Sequence, residues 1–254
     1  MGVEIDNYSL GYNNLYGKNW YILERVPDNV KKDFELLTEA VIKDPKSFLE
    51  YNSHLAGQIE DEYRVEYPDS FFDFLSTVLV KHEKQIKDTY ARDIRHYNFK
   101  DYVLGSQQKA DDWSSKIGWV NLQKKYEYNP PHAHSGELSF IYWSKVPYTA
   151  KEEIIAGPSP QANAVDGVKS TFNGNTYFAF NRDAWYLEDK SRKLQPGDFY
   201  GANLVTLPVT KKWEGIFCIF PSYQMHGVNP FYSSDECRVS YSANVTFRKP
   251  SSII

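Results

Sequence analysis

The stretch NPPHAHSGELSFIYW (Asn129–Trp143) joins a turn, two histidines and a strand-like aromatic run. The Pro-Pro pair indicates a turn or a strand end, because proline fixes φ and cannot donate a backbone hydrogen bond. The following LSFIYWSKV is rich in aromatic and branched residues, as buried strands are. In an extended chain His132 and His134 would project to the same face. The stretch therefore predicts a β-rich core with two imidazoles beside one strand.

The chain changes character near residue 112. Before this point the patterns are helical, apart from one predicted strand at Asn19–Val26. Apolar spacing and cap residues predict helices in VPDNVKKDFELLTEAVIKD, KSFLEYNSHLAGQIEDEYRVEY and SFFDFLSTVLVKHEKQIKDTYARDIRHY. After it, strands are predicted in WVNLQKKYEY, LSFIYWSKV, NTYFAF, GIFCIF and RVSYSANVTF, with Gly/Pro turns between them. The polar Tyr148–Ser170 segment is predicted to be a long mobile loop, and Asn181–Gln195 a second loop near the substrate.

Many short strands separated by Gly/Pro turns favour a sandwich, jelly roll or barrel. The predicted fold class is mainly β with flanking helices (α+β). No linker-like stretch divides the chain, so residues 1–254 are treated as one globular unit. Within it, residues 1–111 would supply a strand and helical support, and residues 112–248 the β core.

Composition excludes several classes of function. The net charge is −4 and the 29 basic residues are scattered along the chain, so no basic stripe indicates nucleic-acid binding. Two cysteines are too few for a disulfide framework, and Cys218, in GIFCIF, is expected to be buried. The chain shows no signal-peptide pattern and no run of about 18 apolar residues. We expect a soluble cytoplasmic protein without a membrane partner, in the host cytoplasm if it is phage-encoded.

A third histidine and an arginine add to the histidine pair. His226 follows an apolar strand and a Pro-Ser turn, and Arg238 begins the strand-like run RVSYSANVTF. Ser240 and Ser242 share a strand face with Arg238. A buried arginine needs an anionic partner, which would be a small dicarboxylate or an internal Asp or Glu. Imidazoles suit iron, zinc, copper or nickel.

In order and spacing, these motifs resemble the 2-oxoglutarate/Fe(II)-dependent oxygenases, and in particular a branch frequent in bacteria and phages. The resemblance covers about Trp113–Phe247, roughly half the chain, whereas the N-terminal helices carry no signature. The motifs that carry it are Trp119-Val-Asn121, Pro131-His132-Ala-His134, Phe220-Pro221 up to His226, and Arg238-Val-Ser240 up to Asn244.

The resemblance implies a double-stranded β-helix (a cupin-like jelly roll) as the catalytic core, with the N-terminal helices packed on it. It implies that His132, His134 and His226 bind Fe(II). It also implies O2 and 2-oxoglutarate as cosubstrates, and hydroxylation of an unidentified small or macromolecular substrate with release of succinate and CO2. The residues expected to contact 2-oxoglutarate are Arg238, Ser240, Tyr142, Asn121 and Asn244.

One position departs from the pattern of the superfamily. The usual motif is His-x-Asp, whereas His134 occupies the aspartate position here. In the first option His134 ligates the metal itself, and in the second Glu137 supplies the carboxylate. In the third option only two protein residues ligate the metal, and His134 lies next to the site without contacting the metal. Two other functions stay open: a three-histidine dioxygenase that does not use 2-oxoglutarate, and a non-catalytic jelly-roll binding or structural module.

The remaining polar clusters are expected to be structural. His82 and His96 lie in charged surroundings and are expected to be solvated, and His54 has no visible partner. The carboxylate-rich IEDEYRVE (Ile59–Glu66) is expected to be a solvated helix face. The sequence does not indicate the oligomeric state.

Overall fold

The computed structural model describes residues 4–5, 8–16, 18–54, 57–90, 94–105, 116–157, 172–181 and 202–248. Its helices are α1 (Asp28–Lys43), α2 (Asp69–Lys81), α3 (Glu83–Thr89) and α4 (Ala150–Ala156), with 3-10 turns at Pro45–Ser47, Asn52–His54 and Lys211–Trp213. Its strands are β1 (Glu4–Ile5), β2 (Tyr8–Ser9), β3 (Gly11–Tyr16), β4 (Asn19–Arg25), β5 (Leu49–Glu50), β6 (Glu62–Glu66), β7 (Tyr102–Leu104), β8 (Ile117–Gln123), β9 (Asn129–His132), β10 (Leu138–Lys145), β11 (Thr176–Asn181), β12 (Ala202–Leu207), β13 (Ile216–Pro221), β14 (Met225–Val228) and β15 (Arg238–Phe247).

Two antiparallel sheets form the core. The large sheet has the order β3-β4-β13-β10-β15-β8-β6-β5, with β7 also paired to β15, and the small sheet has the order β12-β11-β14-β9. From β8 to β15 the chain alternates between the sheets, with only β11 and β12 consecutive in one of them. This is the topology of a double-stranded β-helix. The predicted fold class, a mainly β jelly roll with flanking helices, is confirmed.

The N-terminal part contributes strands as well as helices. On one side of the large sheet β4 pairs with β13, and on the other side β6 pairs with β8. The helix α1 buries Val30, Phe34, Thr38 and Val41, and it ends at Lys43, before Pro45, as its apolar spacing predicted. Phe34 contacts the ring of Tyr142 on the large sheet, with 4.5 Å between ring centroids. The predicted strand at Asn19–Val26 is β4.

The second predicted helix is wrong. Its segment forms short 3-10 turns and the strands β5 and β6 instead. In β6 the side chains of Tyr63 and Val65 pack in the core behind the sheet, whereas Arg64 and Glu66 are exposed. Ile59–Glu66 is therefore not a solvated helix face, and Glu62 is only 2% exposed.

The third predicted helix is interrupted at His82, which separates α2 from α3. His82 is 6% exposed and its Nε2 lies 2.8 Å from Oε1 of Glu24, so the prediction of a solvated histidine is wrong. His96 is exposed, as expected. The side chain of His54 lies outside the described residues. Cys218 is buried, as predicted.

Part of the predicted loop Tyr148–Ser170 is helical. Thr149 caps α4 and forms a capping box with Glu152, and Tyr148 is buried. Residues 158–171 of this loop, and residues 182–195 of the second predicted loop, lie outside the described residues. Among the helices that the structure describes, none has the length and apolar character required to cross a bilayer.

Candidate active site

The side chains of three histidines lie close together beside the neighbouring strands β9 and β14 of the small sheet. His132 ends β9 and lies opposite His226 of β14, and the backbone N–H of His134 donates to Ser222 O at 2.8 Å. The ring centroid of His132 lies 4.8 Å from that of His134 and 4.4 Å from that of His226, and the third separation is 5.0 Å. One ring nitrogen of each residue lies within 4.8 Å of the others.

Backbone carbonyls orient two of these rings. Nδ1 of His132 lies 2.8 Å from Pro130 O, and Nδ1 of His226 lies 2.9 Å from Gln224 O. A carbonyl only accepts hydrogen bonds, so Nδ1 carries the proton in both rings. The lone pair is then on Nε2. Metal-binding histidines are oriented in the same way when the other ring nitrogen donates to a backbone carbonyl.

The three imidazoles are kept neutral. Burial lowers the pKa of His132, lowers that of His134 to about 3, and holds that of His226 well below its ordinary value. The close approach of the three rings adds to this effect in His134 and His226. Neutral imidazoles are the form that binds a metal, so this donor set fits a borderline ion such as Fe(II).

The carboxylate alternative is not supported. Oε2 of Glu137 accepts the backbone N–H of Phe247 at 3.1 Å, and Glu137 is not part of the three-histidine group. The sequence left His134 and Glu137 as competing candidates. In the part of the chain that the structure describes, the histidine joins His132 and His226, whereas the glutamate contacts β15.

A pocket opens between the histidines and the inner face of the large sheet. It contains about 500 Å³ of space, part of it open to solvent. The ring centroid of Trp119 lies 5.5 Å from that of His134, and the ring centroid of Phe220 lies 4.7 Å from that of His226. Of the residues expected at the site, those that line this pocket are His132, His134, His226, Asn121, Arg238 and Ser240.

Arg238 is the buried cation of this pocket, with 2% of its surface exposed. Its Nη1 donates to Tyr148 Oη at 3.0 Å and to Gly174 O at 2.6 Å, whereas its Nε has no partner among the described residues. No Asp or Glu of these residues pairs with Arg238, so the internal carboxylate that the sequence left open is not seen there. The guanidinium is oriented by neutral groups, and its Nε–H is a buried donor that a ligand could use.

Two of the expected contacts do not face the pocket. Tyr142 lies on the opposite face of β10, between Phe34 and Tyr241, so the predicted contact of Tyr142 with 2-oxoglutarate is wrong. Asn244 is buried and accepts a hydrogen bond from Ser139 Oγ at 2.9 Å, but it does not line the pocket. The LSFIYW run is apolar on both faces, so its sequence pattern did not show which face Tyr142 would occupy.

Sequence reasoning missed one residue that lines the pocket and one that contacts Arg238. Tyr148, assigned to a loop, holds Arg238, and no local signal predicted this contact. Glu62 lines the pocket from β6. The alternation of polar and apolar residues from Glu62 to Tyr67 could have indicated a strand, and hence which side chains share a face.

The fold and the pocket together define a class of protein. A double-stranded β-helix with three neutral imidazoles beside a buried, incompletely paired arginine is the architecture of a non-haem metal-dependent oxygenase. The sequence agrees: residues 118–244, half of the chain, match the family model described as "Putative 2OG-Fe(II) oxygenase". The chain belongs to this family of 2-oxoglutarate-dependent oxygenases, which are oxidoreductases that use Fe(II), 2-oxoglutarate and O2.

Solved structures give more distant likenesses. A Pseudomonas putida prolyl-4-hydroxylase has 12% identity and a TM-score of 0.44, with 93% of this chain and 94% of that chain covered. The non-heme alpha ketoglutarate dependent epimerase SnoN from nogalamycin biosynthesis has 11% identity and a TM-score of 0.46, with 90% and 79% covered. An oxidoreductase of the 2OG-Fe(II) oxygenase family from Burkholderia pseudomallei has 12% identity and a TM-score of 0.36, with 89% and 84% covered. No curated protein matches the sequence. Likenesses this distant do not extend to a substrate or a reaction.

Proposed function

We propose that the protein is an Fe(II)- and 2-oxoglutarate-dependent dioxygenase that hydroxylates a C–H bond of its substrate and releases succinate and CO2. One observation carries the proposal. Three neutral imidazoles with converging ligand atoms and the buried Arg238, with its unpaired Nε, line the same pocket.

The histidines would hold the iron, with His132, His134 and His226 as its protein ligands. Three protein ligands on one side of an iron leave positions for 2-oxoglutarate and O2. When bound, Fe(II) supplies the activation of O2 that is coupled to the oxidative decarboxylation of 2-oxoglutarate.

Arg238 would bind the far carboxylate of 2-oxoglutarate. A guanidinium fork matches a carboxylate in geometry, and the Nη1 contacts with Tyr148 and Gly174 leave Nε for the ligand. Ser240 and Asn121 line the same face and offer further hydrogen bonds. The buried Trp143 and Phe220 form apolar walls that exclude water from the reacting groups.

A second candidate is favoured by one specific observation. The ligand group contains three histidines, where the usual superfamily motif supplies a carboxylate. A three-histidine dioxygenase would bind Fe(II) and O2 but not 2-oxoglutarate, and Arg238 would then hold an anionic substrate.

The test is Fe(II) binding and O2-dependent turnover of 2-oxoglutarate by the wild type and by His132→Ala, His134→Ala and His226→Ala. His96→Ala is the matched control, since His96 is exposed. We expect each site variant to lose iron affinity at least tenfold and to lose turnover, with the control unchanged.

Each of the other possible results of this experiment would favour a different ligand set or a different function. Unchanged iron affinity in His134→Ala would remove His134 from the ligand set. Tight iron binding without any 2-oxoglutarate binding or turnover would favour the three-histidine dioxygenase. Absence of specific iron binding in the wild type would overturn both oxygenase functions and leave the non-catalytic jelly-roll module.

A further inference from the structure

Glu62 is a buried acid on the pocket wall that the proposed chemistry does not use. It lies on β6 directly opposite Asn121 of β8, which in turn lies opposite Ser240 of β15. Residues directly opposite one another in antiparallel strands share a face, so all three point to the side of the large sheet that carries the pocket. All three line the pocket.

One oxygen of the Glu62 carboxyl group lacks a partner among the described residues. Glu62 is 2% exposed, and this oxygen, Oε1, is buried without a hydrogen-bond donor from that part of the chain. The neighbouring Asn121 is 7% exposed, and its Oδ1 is buried and unpaired as well. A buried polar atom without a partner costs free energy, so two adjacent unpaired acceptors at a binding pocket indicate a ligand that donates.

The surroundings of Glu62 are electrostatically suited to a cation. Among the described residues no Lys or Arg forms an ion pair with its carboxyl group, while the charge of Glu127 repels a second negative charge there. Burial and, to a smaller extent, Glu127 raise the pKa of Glu62 to about 8. A positively charged donor bound at this position would relieve both unfavourable effects.

We propose that Glu62, with Asn121 beside it, binds the positively charged nitrogen group, an ammonium or a guanidinium, of the enzyme's substrate. This inference rests on the proposed function, because it assigns a substrate class to the same pocket. A charge-assisted hydrogen bond from the substrate to Oε1 of Glu62 would satisfy the buried oxygen.

The two charged residues of the pocket are far enough apart for two ligands. Glu62 and Arg238 are separated by two strand spacings across the sheet and two residues along β15, which corresponds to roughly 12 Å between Cα atoms. The cosubstrate carboxylate would occupy the end at Arg238 and the substrate cation the end at Glu62. Trp119 lies opposite the exposed Arg64 of β6, so an aromatic ring lines the pocket beside Glu62.

The test is calorimetric titration of the full chain with n-butylguanidinium, its neutral isostere n-butylurea, and n-butylammonium. It is done anaerobically with Fe(II) and 2-oxoglutarate, and again on metal-free protein. The two cationic probes distinguish a guanidinium site from an ammonium site. The variants are Glu62→Gln, Glu62→Asp and, as a matched control, Glu66→Gln, which removes the same charge at an exposed position of the same strand.

We expect at least one cationic probe to bind the wild type at least tenfold more tightly than n-butylurea. Glu62→Gln should abolish this preference, Glu62→Asp should retain part of it, and Glu66→Gln should stay within about twofold of the wild type. Equal binding of n-butylurea and n-butylguanidinium, or an unchanged preference in a folded Glu62→Gln, overturns the inference.

Failure of this inference and failure of the proposed function are distinguishable. Binding of 2-oxoglutarate is measured separately, in the wild type and in Glu62→Gln. Normal 2-oxoglutarate binding without cation preference removes only the substrate assignment. Cation preference in the metal-free protein without any 2-oxoglutarate binding retains a cation site at Glu62 but removes the oxygenase reaction.

Discussion

Replacement of Arg238 by methionine should specifically weaken the binding of 2-oxoglutarate. Methionine keeps most of the side-chain volume in this 2%-exposed position, so the main change is loss of the guanidinium. The variant also removes the donor to Tyr148 Oη and one of the two donors to Gly174 O, which keeps the hydrogen bond from Tyr148 Oη at 3.1 Å. We therefore expect a modest loss of stability together with a large loss of cosubstrate affinity.

The magnitude follows from the hydrogen bonds that the guanidinium can make. Both Nη1 bonds are made within the protein, so a cosubstrate carboxylate would be met by Nε and Nη2. Two charge-assisted bonds contribute about 1.5–3 kcal/mol each. Taking the lower figure for both gives about 3 kcal/mol, or a rise in Kd of roughly 100-fold. Arg238→Lys keeps the charge but loses the fork, so its Kd should rise by roughly tenfold.

The assay is anaerobic titration of the Fe(II)-loaded protein with 2-oxoglutarate, followed by the visible charge-transfer band of the chelate. Iron affinity, measured separately, should be unchanged in Arg238→Met. Arg64→Met is the control, since Arg64 is exposed on β6 and the change in charge is the same. A Kd in Arg238→Met within twofold of the wild type would refute the assignment of Arg238 as the carboxylate anchor.

Three further predictions concern Tyr148, Glu153 and Glu62. Tyr148→Phe removes one hydrogen bond that orients Arg238, so the Kd of 2-oxoglutarate should rise by about 2- to 10-fold, whereas the affinity for iron should not change. An unchanged Kd of 2-oxoglutarate would contradict this positioning role of Tyr148. Glu153 is 1% exposed and accepts hydrogen bonds from the backbone N–H groups of Tyr232 and Ser233. Glu153→Gln should therefore lower the free energy of unfolding by about 2 kcal/mol and the Tm by roughly 4–8 °C in calorimetry. A Tm within about 1 °C of the wild type, which corresponds to about 0.3 kcal/mol, would contradict this. Burial raises the pKa of Glu62 from 4.5 to about 8, so Glu62 should make the wild type less stable as pH rises between these values, an effect that Glu62→Gln should lack. A difference in Tm between the two proteins that stays constant from pH 5 to pH 8 would refute this.

The local motifs of the sequence predicted the centre of the site because its chemistry is carried by short spacings. His132 and His134 are two residues apart at the end of a strand, and Arg238 and Ser240 alternate along another. An alternating pattern places side chains on one face without any knowledge of neighbouring strands. These short spacings therefore place the side chains together even though several surrounding elements were assigned wrongly.

What the sequence could not predict depends on contacts between distant segments. Charged neighbours in sequence suggested a solvated His82, but the partner that buries it, Glu24, comes from β4, more than fifty residues earlier. The same is true of Tyr148, which contacts Arg238 ninety residues away. Such contacts arise only when the sheet assembles, because no spacing along the chain encodes them.

The chain connectivity explains why the site lies where it does. The strands β8, β10, β13 and β15 belong to the large sheet, and β9, β11, β12 and β14 belong to the small one. Every connection from β8 to β15 except that from β11 to β12 therefore takes the chain from one sheet to the other. His132 and His226 then come from neighbouring small-sheet strands, and Arg238 and Asn121 from neighbouring large-sheet strands that face them. The strand β6, which pairs with β8, extends that inner face by one strand and brings Glu62 to it. An N-terminal segment outside the part of the chain that matches the family model thus supplies the one acidic side chain among the described residues that line the pocket.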